Sequence, residues 1–404
     1  MDGAPTRTHR LSDMVMRITA SMTIRMEERA KALAAQGVRV VAFAAGEPDF
    51  DTPEPVKEAA IAAIRQGFTK YTASSGIREL REAIAAKLKR DQGLEYAWNE
   101  IVVSNGGKQA LYNAVAAVCG PEEEVIIPSP CWVTFPEQVK VVGGTPVLVP
   151  ARAPDFVPDP ADVAAKITPL TRAIVMNSPN NPTGAVYTKE ALSGIADLAL
   201  RHNLYIIVDE IYQSMTYDGT RHYSIPALRP DARELCLLVN SMSKAFAMTG
   251  WRVGSVAGPR EVIEGIDRLQ GHVTGNPNSI AQKAAVFALT ENVDCTPMVR
   301  EYDRRRKHIV GELNKIPGFK CAMPKGAFYA FPDITALLGK KAPDRTVIKD
   351  SMALAEYFIN EAHVVMVPGD AFFGPGHLRL SYATSMAEID EGLARIRKAV
   401  EKLA

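Results

Sequence analysis

Six short apolar runs recur between residues 100 and 260, at 101–103, 125–127, 173–176, 204–208, 235–239 and 253–257. Most are separated by enough chain to hold a helix. A parallel neighbour can be reached only through a crossover of that length, so the spacing selects an α/β fold with a mainly parallel, doubly wound sheet. Ligands of such sheets gather outside the carboxyl ends of the strands. Those ends carry unusual residues five times over: Asn105-Gly106-Gly107-Lys108, Pro130-Cys131-Trp132, Asn180-Asn181-Pro182-Thr183-Gly184, Asp209-x-x-Tyr212 and Ser241-x-Ser243-Lys244.

At 404 residues the chain exceeds one small core and suits two domains. Strand candidates at 327–331, 364–367 and 377–382 lie among helical stretches, the last running from Ala387 to the end. A large domain is expected over 51–290 and a smaller α+β domain over 291–404. Residues 1–50 are expected to form an N-terminal arm and part of the small domain. Thr23 to Gln36 reads as a helix stopped by Gly37, and residues 38–44 as a strand. Thr52 reads as the cap of a helix entered through Pro53 and running to Ile64.

Lys and Arg number 47 against 46 Asp and Glu, a formal net charge of +1, which removes the electrostatic case for nucleic acid or an anionic membrane. The five cysteines (Cys119, Cys131, Cys236, Cys295, Cys321) form no CxxC pair and read as reduced thiols of a cytoplasmic protein. The first residues lack a signal-peptide pattern, and no run approaches the ~20 apolar residues that span a bilayer. The histidines show no ligand spacing, so no metal is expected.

Lys244 gives the strand-end residues a chemical direction. It follows an apolar run, Arg252 comes eight residues later, and Asp209 ends another run that should be buried. A carbonyl-reactive amine, a guanidinium suited to phosphate and a carboxylate able to pair with a pyridinium are what pyridoxal phosphate chemistry needs. Gly106, Gly107 and Lys108 would open a helix whose free N–H groups receive the phosphate, although Gly-Gly also marks any tight turn. Ser241, Ser243 and Arg252 add donors for the same anion. A buried Asp209 is costly unless paired, by the cofactor or by backbone N–H groups. Tyr212 and Asn181 could hydrogen-bond the ring oxygen. Trp132 could stack on the ring or be an ordinary core aromatic.

The motifs AGEPDF (45–50), KYTASSGIRELREAI (70–84), GGKQAL, NNPTGAVY (180–187), DEIY, SMSKAFAMTGWRVG and HLRLSYATS (377–385) occur in this order along nearly the whole chain. Together they resemble the class I subgroup of fold-type I pyridoxal-phosphate aminotransferases, most closely the bacterial-type aspartate aminotransferase branch. The resemblance implies that Lys244 forms the Schiff base and shuttles the proton, that Asp209 pairs with the ring nitrogen, and that Tyr212 and Asn181 contact the ring oxygen. It assigns Gly106, Gly107, Lys108, Ser241, Ser243 and Arg252 to the phosphate region, with Trp132 beside the ring. Tyr71 would reach the phosphate of the other subunit, implying a homodimer with shared active sites. Arg379 would clamp the substrate α-carboxylate, aided by Gly46, while Lys108, Ser21 and Thr23 would meet a second carboxylate; Ser21 and Thr23 also read as helix caps. Cys131 stands where relatives usually carry tyrosine, which bears on the pocket wall.

The reaction implied is a ping-pong transfer of an amino group from an L-amino acid, aspartate favoured, to a 2-oxo acid such as 2-oxoglutarate. Aromatic, kynurenine or aspartate/prephenate transamination, or C–S β-lyase chemistry, are the alternatives within the same chemistry. A cofactor-sensing DNA-binding regulator would need an added module of ~70 residues and a basic segment, and the chain offers neither.

Overall fold

The computed structural model describes residues 11–20 and 22–404. Its strands are β1 (Val41–Ala42), β2 (Ile101–Asn105), β3 (Glu124–Ser129), β4 (Thr145–Pro150), β5 (Thr171–Asn177) and β6 (Tyr205–Asp209). These are followed by β7 (Cys236–Ser241), β8 (Val253–Ala257), β9 (Tyr329–Ala330), β10 (Val364–Val365), β11 (Val367–Pro368) and β12 (Leu378–Ser381). Seven of them form one sheet in the order β2-β8-β7-β6-β5-β3-β4. The pairings from β7 through β4 are parallel, while β8 runs against both β7 and β2. The fold is α/β with a mostly parallel central sheet, as the spacing of apolar runs required.

The inner strands are almost continuously apolar because helices cover both faces. Alternate residues divide between the two sides. Ile126, Ile174, Ile206 and Leu238 join one core, and Val125, Val175, Ile207 and Leu237 the other. Strand β4 has no counterpart among the expected runs. Pro146 and Pro150 interrupt its pattern, and such a strand is tolerated only at an edge, where a missing N–H breaks no ladder.

A third core gathers Phe43, Tyr302, Phe328, Phe358 and Leu393. Around it β11, β12 and β9 form an antiparallel sheet, and β1 pairs in parallel with β10, linking the start of the chain to its end. The helix expected at 23–36 spans Met22–Ala35, and Gly37 follows at φ +82°. The strand expected over 38–44 shrinks to the two residues of β1. Thr52 is not a helix cap: Pro53 occupies that position, and the Thr52 hydroxyl donates instead to Ala247 O at 2.7 Å. Among the described residues no helix is long and apolar enough to cross a membrane.

Candidate active site

The reversal of β8 brings separate pieces of the site to one rim. Its first residues pair with the last residues of β2 and β7, Val253 with Asn105 and Gly254 with Ser241. Arg252, just before β8, therefore stands at the carboxyl ends of its neighbours. Contact there is close enough to require glycine. A Cβ on Gly254 would lie 2.4 Å from the Gly107 nitrogen, and one on Gly106 (φ +88°) would lie 2.2 Å from an Arg252 guanidinium nitrogen. Arg252 itself holds φ +56°, a conformation uncommon for a side-chain-bearing residue and often found at functional sites. Its guanidinium donates to Thr249 O at 2.8 Å and Asn105 O at 3.2 Å. The Gly107–Val118 helix starts beside it, with its first N–H groups free of intrahelical partners.

These loops surround a cavity of about 430 Å³. Among the residues selected from sequence, Gly46, Gly107, Lys108, Trp132, Asn181, Asp209, Tyr212, Ser241, Ser243, Lys244, Arg252 and Arg379 line it. Ser241 Oγ donates to Ser243 Oγ at 2.8 Å, forming a hydroxyl pair next to Arg252. Lys244 is half-buried and donates to the Gly46 carbonyl. Desolvation pulls its amine down to about 8, and Arg379 and Arg252 add to this while Glu47 and Asp209 oppose it. Asp209 is 3% exposed. Burial pushes its acid up to about 7; the Ile211 N–H at 3.2 Å and Lys244 work against that, and Glu210 works with it.

Arg379 lies between two rings, 4.6 Å from Tyr329 and 4.8 Å from Phe372. It donates to Asn181 Oδ1 at 3.0 Å and Ala44 O at 2.6 Å, so its fork has a set orientation. Asn181 is held in turn by Asn177, whose Oδ1 accepts its N–H at 3.0 Å. The hydroxyls of Tyr212 and Tyr329 are 2.8 Å apart, and burial keeps the Tyr212 phenol far above its ordinary value. The Lys108 ammonium sits 5.1 Å from the Trp132 ring centre; burial, then Arg252, lowers its proton affinity.

Gly106, Tyr71 and Cys131 do not line the cavity. Gly106 packs behind Arg252. Tyr71 is 98% exposed and is not among the lining residues. Thr23 lies in the Met22–Ala35 helix, and Ser21 lies outside the described residues. Cys131 turns into the core behind Trp132, so it shapes the wall only indirectly. Five lining residues had no assigned role: Glu47, Asn177, Ile211, Thr249 and Tyr329. Asn177 had a usable signal, since it ends an apolar run as Asp209 does. Tyr329, inside a strand, had none.

The residues present fit pyridoxal phosphate. The volume lies in the range of small-molecule sites. A buried carboxylate with one protein N–H donor lacks a proton-bearing partner that a ring nitrogen supplies. Hydroxyls, a helix start and a guanidinium converge as a phosphate needs.

Comparison with known proteins agrees with this geometry. An aspartate aminotransferase of Bacillus subtilis is 42% identical over 395 residues, covering 97% of this chain and 99% of the relative. A probable aspartate/prephenate aminotransferase of Aquifex aeolicus is 44% identical, covering 97% and 99%. The solved aspartate aminotransferase from Thermus thermophilus with maleate superposes with a TM-score of 0.90 at 44% identity, covering 97% of this chain and 100% of that one. The family model for aminotransferase class I and II matches residues 38–396. On this agreement of sequence, fold and pocket, the chain belongs to the class I and II aminotransferases and depends on pyridoxal 5'-phosphate.

Proposed function

We propose that this aminotransferase takes its amino group from L-aspartate and passes it to a 2-oxo acid such as 2-oxoglutarate in a ping-pong cycle. The carrying observation is the set of cations around Lys244. Arg252, Arg379 and Lys108 all line the cavity, from separate segments of chain. One cation suits the cofactor phosphate, one the α-carboxylate, and Lys108 remains for a second carboxylate. The similarity to a Thermus enzyme solved with maleate, a dicarboxylate, supports the same reading.

When bound, the cofactor supplies an aldehyde that condenses with amines and a ring that draws electrons from Cα. The residues of the chain do the rest. Lys244, with its amine at about 8, is poised near neutral pH to take the Cα proton and return it. Asp209 would hold the ring nitrogen, Tyr212 and Asn181 would hold the ring oxygen, and Trp132 would lie beside the ring. Ser241, Ser243, Arg252, Gly106, Gly107 and the backbone N–H of Lys108 at the helix start would receive the phosphate, leaving the Lys108 ammonium for the second carboxylate. The oriented Arg379 fork and the Gly46 N–H fix the α-carboxylate, so that the breaking bond stays aligned.

The same reading includes a homodimer in which Tyr71 completes the partner's site, a cytoplasmic location, and Ser21 and Thr23 near the second carboxylate. It divides the chain into 51–290 as the large domain and 291–404 with 1–50 as the small one. A second acceptor, prephenate, whose 2-oxo group would take the amine in place of 2-oxoglutarate, is supported by the 44% identity to the Aquifex relative.

Lys244→Ala is expected to lower kcat by about 10³-fold or more; steady-state turnover near wild type would refute the assignment. Lys108→Ala should harm dicarboxylic donors selectively, whereas Arg379→Ala should harm all donors. Equal loss for aspartate and phenylalanine in Lys108→Ala would end its distal-carboxylate role.

A further inference from the structure

Next to Asp209 in the chain is a second acid that the reaction described above does not use. Glu210 is fully buried, at 0% exposure. Its Oε2 accepts from the Gln92 amide at 2.7 Å. His222 Nε2 stands 3.3 Å from the same oxygen, within ion-pair range but not aligned for a hydrogen bond. Glu210 Oε1, Gln92 Oε1, the Tyr96 hydroxyl and both ring nitrogens of His222 are buried without a hydrogen-bond partner within the protein. A carboxylate with so few partners is expensive to bury, and glutamine would fill the same space without a charge. The shape of the site alone therefore does not call for an acid here.

The charge does reach the pocket. Burial is the main force raising the Asp209 acid, the Tyr96 phenol and the Cys236 thiol, and Glu210 adds to it in all three. The nearby Arg233, 4.4 Å from the Tyr96 ring centre, is engaged by both oxygens of Glu100 at 2.9 Å. On the pocket side Asp209 meets Lys244 and the Ile211 N–H.

We propose that Glu210 is a positioning residue: held by Gln92, with His222 beside it, its negative charge reinforces that of the neighbouring Asp209 and strengthens retention of the proton on the cofactor's ring nitrogen. The inference rests on the assignment of Asp209 to that nitrogen. A second negative charge close to Asp209 favours the charged form of a protonated nitrogen more than one charge does, because the surroundings are poorly polarisable. Electron withdrawal from Cα depends on that proton. Glu210 thus acts on rate and on cofactor retention, while touching neither substrate nor cofactor.

Glu210→Gln keeps the shape and the Gln92 bond but removes the charge. In the holoenzyme it is expected to lower kcat about tenfold, with KM for the amino donor changed less than about twofold. Dialysis of the holoenzyme should show cofactor retention weaker by about tenfold. Glu210→Asp, which keeps the charge, should recover most of both losses. In an Asp209→Ala background, Glu210→Gln should add nothing, since the charge has no carboxylate to act through. Wild-type kcat and retention in Glu210→Gln overturn the proposal, as do equal losses in Glu210→Asp, or equal losses with and without Asp209. Full activity in Asp209→Ala alone would overturn the underlying assignment, before Glu210 is changed at all.

Discussion

The acid of Asp209 ordinarily titrates at 3.8 and is pushed up to about 7, chiefly by burial, so the folded chain holds this proton more tightly than the unfolded one. Between those values the folded state binds more protons, and the contribution of Asp209 to stability falls as pH rises. In cofactor-stripped protein, Asp209→Asn should be more stable than wild type at pH 7.5 by up to about 4 kcal/mol, shrinking to less than half of that near pH 5. Urea unfolding at the two pH values checks this; a constant difference would assign the effect to packing. The fork of Arg379 gives a second residue-scale expectation. Arg379→Lys keeps the charge but loses the paired donors, and kcat/KM for all donors should fall by about 10²-fold. Initial rates across a donor panel measure it. Asp209 was legible because a charge at the end of an apolar run is chemically conspicuous, whereas Arg379, inside such a run, came only from the family resemblance. Tyr329, whose hydroxyl meets Tyr212 at 2.8 Å, was not legible, since its place in a β run reads as ordinary packing.

Among the elements, reversed β8 matters most for the site. Gly254→Ala would press a methyl against the backbone of Gly106 and Gly107, at 2.4–2.8 Å. Backbone cannot rotate away, so the substitution should cost about 1–3 kcal/mol and displace the helix start that faces the phosphate. Thermal denaturation together with cofactor retention tests this; loss of stability with normal retention would separate β8 from the phosphate site. The run at 253–257 was visible in sequence, but its direction was not, because apolarity is the same read either way. β4 escaped notice for the opposite reason, its prolines masking an edge strand. Thr52 looked like a helix cap by residue type, yet its hydroxyl was taken by Ala247 from a segment almost two hundred residues away.

At the scale of the whole molecule, Tyr71 poses the sharpest question, being 98% exposed on a chain whose pocket lies elsewhere. If it serves a partner's site, Tyr71→Ala and Lys244→Ala subunits, each impaired alone, should complement each other. A hybrid dimer would then contain one site with both residues intact, and activity should rise on co-expression to about half the wild-type value per hybrid. No rise in purified hybrids would remove Tyr71 from the site.

The sequence by itself determined the α/β class and pointed to the strand ends, and to Lys244, Asp209 and Arg252 there, as the candidate seat of the chemistry. Those follow from local periodicity and from single residue types whose placement is costly without a purpose. Only the tertiary structure decided that β8 turns back to carry Arg252 to the rim, that Arg379 meets Asn181, and that Gln92 reaches the buried Glu210. Each of these depends on which distant segments come into contact, and distance in space is not written in the neighbourhood of any one residue.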